Sequence, residues 1–232
     1  MGVVKLTQIS RVDSTVAATF YSPPATIQQI SLSMGSEKGG SMVEMTVHDV
    51  LFRVPKGAEV QWPQDASKLG RMATVVLKER EGEHYLSIWV GLLEAIAIVR
   101  PLAEVVTPRP MTHDLIARLV EVSASRVEKI AVTKLHDRTF YATLWVHVGE
   151  RVHEVDARPS DAFSLALRVQ VPIFVAADLF EQQSQPLEQM SSAMVQRSQE
   201  LDPPGDTEIE LRSFRSLLYQ GVSGPLQSPQ EK

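Results

Sequence analysis

Cysteine is absent from the 232-residue chain, which excludes disulfides, thiolate-held metals and a cysteine nucleophile. A reducing compartment suits such a chain, and the cytoplasm is the expected location. Aromatic residues make up only 6% of the sequence. Trp62, Trp89 and Trp145 each lie outside any basic cluster, so they are expected in the core or an interface rather than as platforms for stacked bases. No uninterrupted apolar run approaches the roughly 20 residues that span a bilayer. Residues 1–20 lack a basic start followed by an apolar core, so neither membrane insertion nor secretion is expected. An excess of positive charge is missing too: the formal charge is −5 and the pI about 5.7. Proteins that hold nucleic acid by neutralising phosphates are usually basic, so any such contact here has to rest on a local patch. There is no glycine-rich phosphate loop, nucleophile elbow or HExxH helix, which argues against P-loop hydrolysis, serine hydrolase chemistry and zinc protease chemistry. His84, His136, His147 and His153 have no metal-ligand spacing with one another.

What the chain does have is 44% hydrophobic residues, ample for a packed core, and one stretch where charge breaks directly into an apolar run. In Asp156-Ala157-Arg158-Pro159-Ser160-Asp161, proline suits a first helical turn, while Ser160 and Asp161 can accept bonds from its free amides. Ala162, Leu165, Ala166 and Val169 then recur at helical spacing, which predicts a buried helix starting at about Pro159. Its mouth gathers Asp156, Arg158 and Asp161 at the positive end of the helix dipole.

Alternation of Val43, Met45 and Val47 with Glu44, Thr46 and His48 predicts a half-buried strand from Met42. Residues 73–78 and 84–90 flank Glu81-Gly82-Glu83 as a hairpin, and 91–99 reads as a short apolar helix. A second helix opens at Thr112, expected as its cap, with Asp114 in the first turn and Leu115, Ile116, Leu119 and Val120 as the apolar face. Residues 127–135, 139–148 and 151–155 read as three further strands, with turns at Asp137-Arg138 and Gly149-Glu150. After the helix at Pro159, Val171 to Val175 reads as a short extended run and 177–182 as a final helical turn or two. Each half thus reads as three strands followed by two helices, an internal repeat that predicts an α+β domain of duplicated β3α2 units forming a mixed sheet with helices packed on it. The domain is placed at residues 42–182. Residues 1–41 are expected to be a poorly ordered extension. Residues 183–232, rich in Gln, Ser and Pro, are expected to be a largely disordered tail with one marginal helix candidate at 208–219.

Four stretches together resemble the bifunctional nuclease domain family of bacteria and plants. They are Ile88-Trp89-Val90-Gly91 with Glu94-Ala95, Arg109-Pro110-Met111-Thr112-His113-Asp114-Leu115, Thr139-Phe140-Tyr141-Ala142, and Asp156-Ala157-Arg158-Pro159-Ser160-Asp161-Ala162. The resemblance implies the duplicated fold, homo-oligomeric assembly and hydrolysis of RNA or DNA phosphodiester bonds, an activity assigned to plant members. The chain departs from the family pattern in its N-terminal extension, the enlarged loop at 55–69 and a tail without the charged helical hairpin some relatives carry.

Phosphodiester cleavage needs a group to activate water or a ribose hydroxyl and positive charge on the phosphoryl oxygens, often with a metal. Asp156, Asp161, Asp114 and Glu94 are oxygen donors suited to Mg²⁺ or Mn²⁺, with Asp156 and Asp161 as the expected metal pair. His113 suits a general base or acid. Arg109 and Arg158 suit a phosphate clamp, aided by the amides at Thr112 and Ser160. The plainer reading of the same residues is structural. Ser160, Asp161, Thr112 and Asp114 suit helix caps, Arg158 with Asp156 or Arg109 with Asp114 suits an ion pair between the halves, and His113 suits a hydrogen-bonded structural group. On that reading the chain is a non-enzymatic oligomeric binding or regulatory module.

Overall fold

Strand β1 (Met42–Pro55) opens with the predicted alternation and, past a register shift between Val47 and Asp49, becomes buried on both faces from Val50 to Val54. That switch fits its place in the centre of a sheet, where both faces of a strand are covered. The structure is a computed structural model and describes residues 40–60, 69–105, 107–201 and 208–214. The expected N-terminal extension therefore lies outside the described residues except at its end, and so does most of the enlarged loop.

After β1 come β2 (Met72–Glu79), β3 (His84–Gly91), helices α1 (Leu92–Leu102) and α2 (Thr112–Val122), then β4 (Ser125–His136), β5 (Thr139–Val148) and β6 (Arg151–Ala157). Helix α3 (Pro159–Val169), β7 (Ile173–Ala176), α4 (Ala177–Gln183), β8 (Gln185–Pro186), α5 (Leu187–Leu201) and β9 (Ile209–Ser213) complete the described order. The predicted turns are tight. Asp137 and Arg138 both take positive φ between β4 and β5, and Gly149 at φ 61° turns β5 into β6, as two-residue hairpin loops require.

All of these strands join one mixed sheet in the order β6-β5-β4-β7-β1-β2-β3-β8, with β9 paired to the far half of β1. The join between the two halves is β7, parallel to β4 through Ile130↔Ile173 and antiparallel to β1 through Met45↔Ile173. The α+β class with a mixed sheet is as expected. The extended run expected at 171–175 is β7, which lies between α3 and α4 and has no counterpart among the described residues between α1 and α2.

One face of the sheet carries the main core, in which Ala95, Ile98 and Val99 of α1 and Ala162, Phe163, Leu165 and Ala166 of α3 pack on Val75, Leu77, Ile88, Ile130, Val132, Ala142 and Leu144. The opposite face of β1–β2–β3 is covered by α5, whose Met190 and Met194 pack on Leu51, Val76 and Tyr85. Helix α5 falls within the segment 183–232 that the sequence marks as a largely disordered tail. Leu187, Met190 and Met194 fall on one helical face, enough to dock an otherwise polar helix. The region of the expected 208–219 helix is a strand through Ser213: the Lys56 N–H donates to the Glu208 carbonyl at 2.8 Å, and Phe214 packs on Phe52 at 5.5 Å between ring centres. Residues 202–207 and 215–232 lie outside the described residues. From Ser41 onward the described residues belong to one compact unit, and none of their helices is long and apolar enough to cross a membrane.

Because Met194 is fully buried between α5 and the sheet, Met194→Ala should lower unfolding stability by about 2–3 kcal/mol, as for other large-to-small core changes. Urea denaturation of the full chain measures this. A change within about 0.5 kcal/mol, typical of a surface position, would contradict the packing of α5.

Candidate functional site

The start of α3 follows the predicted signal closely. Arg158 sits at the N-cap in extended conformation, Pro159 occupies the first turn, and the amides of Asp161 and Ala162 donate to the Arg158 carbonyl at 3.1 and 3.0 Å. Asp161 is thereby fixed at the third helical position with its carboxylate toward the helix mouth. Its Oδ2 accepts from Arg158 Nε at 2.8 Å. Its Oδ1 accepts from Arg158 Nη2 at 3.3 Å and pairs with His113 Nε2 at 3.0 Å. Arg158 Nη1 also donates to Glu94 Oε1 at 3.1 Å. The result is one continuous line, Glu94–Arg158–Asp161–His113, drawn from α1, the α3 mouth and α2. Exposure peaks at Arg158: the His113 side chain is 13% exposed, Glu94 28%, Asp161 34% and Arg158 65%. Gly91 makes room for the acid end, since a Cβ there would collide with the Glu94 carboxylate.

A second network lies beside the first. Asp114 accepts from the Met111 N–H at 2.8 Å and from Arg168 Nε. Arg168, only 9% exposed, also donates through Nη1 to the carbonyls of Ala97 at 3.0 Å and Ser164 at 2.8 Å. One guanidinium thus binds α1, α2 and α3.

Residues 75–188 match the family model of the bifunctional nuclease domain. An uncharacterized protein of Mycobacterium tuberculosis is 40% identical over 119 residues, an alignment covering 51% of this chain and 67% of that protein. The chain belongs to the bifunctional nuclease domain family. Bifunctional nuclease 1 of Oryza sativa subsp. japonica is 29% identical over 105 residues, covering 44% of this chain and 32% of the rice protein, and Bifunctional nuclease of Oryza minuta matches with the same figures. The matched segment contains both side-chain networks and leaves out β1, most of α5 and β9.

Four of the residues singled out in the sequence of this bifunctional nuclease domain, Glu94, His113, Arg158 and Asp161, are brought into direct contact. Asp114 lies one residue from His113 but turns to Arg168 instead of Asp161. Asp156 does not join them. It pairs with Thr143 across the β5–β6 ladder, while neighbouring Ala142 and Leu144 face the helices. Strand alternation therefore sends Asp156 to the other face of the sheet, where Trp145 stacks under Lys129 at 5.0 Å and donates to Glu154. Arg109 is exposed in the loop before α2, where its carbonyl accepts the Thr107 hydroxyl. Thr112 is the first helical residue rather than the cap. Met111 occupies the cap position, and Asp114 captures its amide. Ser160 is buried within the first turn of α3.

Of the expected apolar face of α2, only Val120 packs on the core. Leu115, Ile116, Leu119 and Val122 are exposed, and the helix turns His113, Asp114 and the half-buried Ala117 and Val120 inward. Arg168 was missed, although it lies seven residues after Asp161 on the same face of an otherwise apolar helix. That spacing of opposite charges was the available signal.

The expected Mg²⁺ or Mn²⁺ site does not fit this arrangement. Both Asp161 oxygens are engaged by nitrogen donors, and its expected co-ligand Asp156 faces away. Among the described residues no group of three or more His, Asp or Glu side chains is spaced to hold an ion.

Burial pushes the Asp161 carboxyl up, but hydrogen bonds from Arg158 and His113 and their charges outweigh it and hold the group below the ordinary carboxylate range. Burial likewise opposes, and the Arg168 bond, the Met111 amide and nearby charge overcome, so that Asp114 is also held down. The hydrogen bond to Asp161 leads the causes that push Arg158 up. Carboxyls with depressed folded-state values stabilise the fold above their unfolded value of about 3.9 and lose that contribution as pH falls through the lower folded values. In urea titrations the stability gap between the wild type and an Asp114→Asn, Asp161→Asn double variant should therefore be constant from pH 7 to about 5. It should narrow progressively as pH falls below about 4 and through the depressed folded-state values. A gap independent of pH would contradict the assigned pairs.

Proposed function

We propose that this domain hydrolyses phosphodiester bonds of RNA or DNA at the Glu94–Arg158–Asp161–His113 corner. The observation that carries the reading is the contact of one aspartate with both a sheltered imidazole and a solvent-facing guanidinium. With Nε2–H donated to Asp161, a neutral His113 ring keeps its lone pair on Nδ1, the atom that takes a proton from water or a ribose hydroxyl. Asp161 fixes that tautomer and stabilises the imidazolium that forms, the role an orienting carboxylate plays in other acid–base pairs. Arg158, mostly in solvent but aimed by Glu94 and Asp161, binds the phosphoryl oxygens and offsets their growing charge. The positive end of α3 adds to that field. Every step is carried by side chains of the chain itself, and the absence of cysteine suits action in the cytoplasm.

A second reading has its own observation. The solvent-facing apolar stripe of α2 favours an oligomeric binding module in which this corner is an assembly signature without turnover.

Fluorophore-labelled single-stranded RNA and DNA, incubated with the purified full chain in Mg²⁺, in Mn²⁺ and in EDTA, separate the two. The nuclease reading expects cleavage that falls at least ~100-fold in His113→Ala and Arg158→Ala, the usual scale of acid–base and charge-stabilising groups. Cleavage should survive EDTA, because Arg158 supplies the charge a metal would otherwise provide. Wild-type rates in both variants would remove the site. Absence of turnover on every substrate, together with a stable oligomer in light scattering, would establish the binding module.

A further inference from the structure

Helix α2 carries His113 but has no buried residue. Its neighbours do: α1 buries Ala95, Ile98 and Val99, and α3 buries most of its length. Only half-buried Ala117 and Val120 tie α2 to the apolar core. Such packing is too slight to fix the axial position of an 11-residue helix to the fraction of an ångström that a hydrogen bond requires.

Polar contacts supply what the packing lacks. Adjacent α2 residues reach points seven residues apart on α3, His113 to Asp161 and Asp114 to Arg168. At the helical rise, those two anchors lie about 10 Å apart along α3. Two anchors that far apart fix both the position and the angle of α2; one alone leaves a pivot. The Arg168 end is the rigid one, since its guanidinium is largely withdrawn from solvent and already fixed by the carbonyls of Ala97 in α1 and Ser164 in α3. The planar fork of arginine holds all three acceptors at once, which a lysine ammonium on its flexible stem does not reproduce.

We propose that Arg168 is a positioning residue, which sets α2 through Asp114 so that His113 Nε2 meets Asp161. The consequence for rate rests on the nuclease reading above; the consequence for His113 does not. The test uses full-length protein and two independent readouts. In ¹⁵N–¹H spectra of the imidazoles, assigned with His113→Gln, wild-type His113 should show a single Nε2–H tautomer with a slowly exchanging proton. Arg168→Met should lose that signal and show mixed tautomers while keeping the wild-type circular dichroism, and Arg168→Lys should restore it in part. Wherever the wild type cleaves, kcat/KM of Arg168→Met should fall about 10- to 100-fold, the scale set by small misplacement of a catalytic group. If Arg168→Met does not fold, Asp114→Ala removes the acceptor from the α2 side and leaves the carbonyl bonds of Arg168 in place. It should give the same loss of the His113 signal. A folded Arg168→Met or Asp114→Ala protein with the wild-type His113 tautomer would overturn the proposal, whether or not the wild type is a nuclease.

Discussion

Four residues of β7, Ile173–Ala176, hold the two halves of the sheet together. Backbone hydrogen bonds to β4 on one side and β1 on the other turn two antiparallel three-stranded meanders into one continuous surface. Helix α1 sits on one meander and α3 on the other, and that strand joins the surfaces beneath them. With it, both pack on the same face, and Glu94 at the start of α1 comes within hydrogen-bonding reach of Arg158 at the start of α3. Ile173 and Val175 anchor the strand in the core, so the apolar packing that stabilises the fold is also what assembles the corner.

Within the corner, polarity is arranged by depth. Arg168, largely withdrawn from solvent, gathers carbonyls and a carboxylate, and the sheltered imidazole touches only one edge of the next carboxylate. The exposed guanidinium stands at the rim. Charged groups are costly to bury unless they are paired, and here each acid that is partly withdrawn from water is matched by an arginine. Arg158 faces solvent beyond its two carboxylates, whereas Arg168 is enclosed by its three acceptors.

Local signals in the sequence carried the elements well. Pro159 and Asp161 marked the start of α3, and the turn residues Asp137-Arg138 and Gly149-Glu150 separated β4, β5 and β6, because caps and tight turns depend on nearest neighbours. Facing was harder. The α2 stripe of Leu115, Ile116 and Leu119 has the periodicity of a buried face, yet a helix's orientation is set by what its other side binds, here the distant Asp161 and Arg168. Asp156 looked like a partner for Asp161 because the two are close in sequence, and only the β5–β6 register reveals the opposite facing. The docking of α5 rests on two methionines in a polar segment, a signal too sparse to outweigh composition. β9 depends on the exposed backbone edge of β1, which no side-chain pattern announces.

The central claim is that His113 and Asp161 act as one unit. A double-mutant cycle on kcat/KM, using His113→Ala, Asp161→Asn and the combined variant on single-stranded RNA, measures this directly. The account predicts strong non-additivity, a coupling of about 1–3 kcal/mol, with the double variant scarcely worse than His113→Ala alone. Additive losses, within about 0.5 kcal/mol, would show that the two residues act independently and contradict the account.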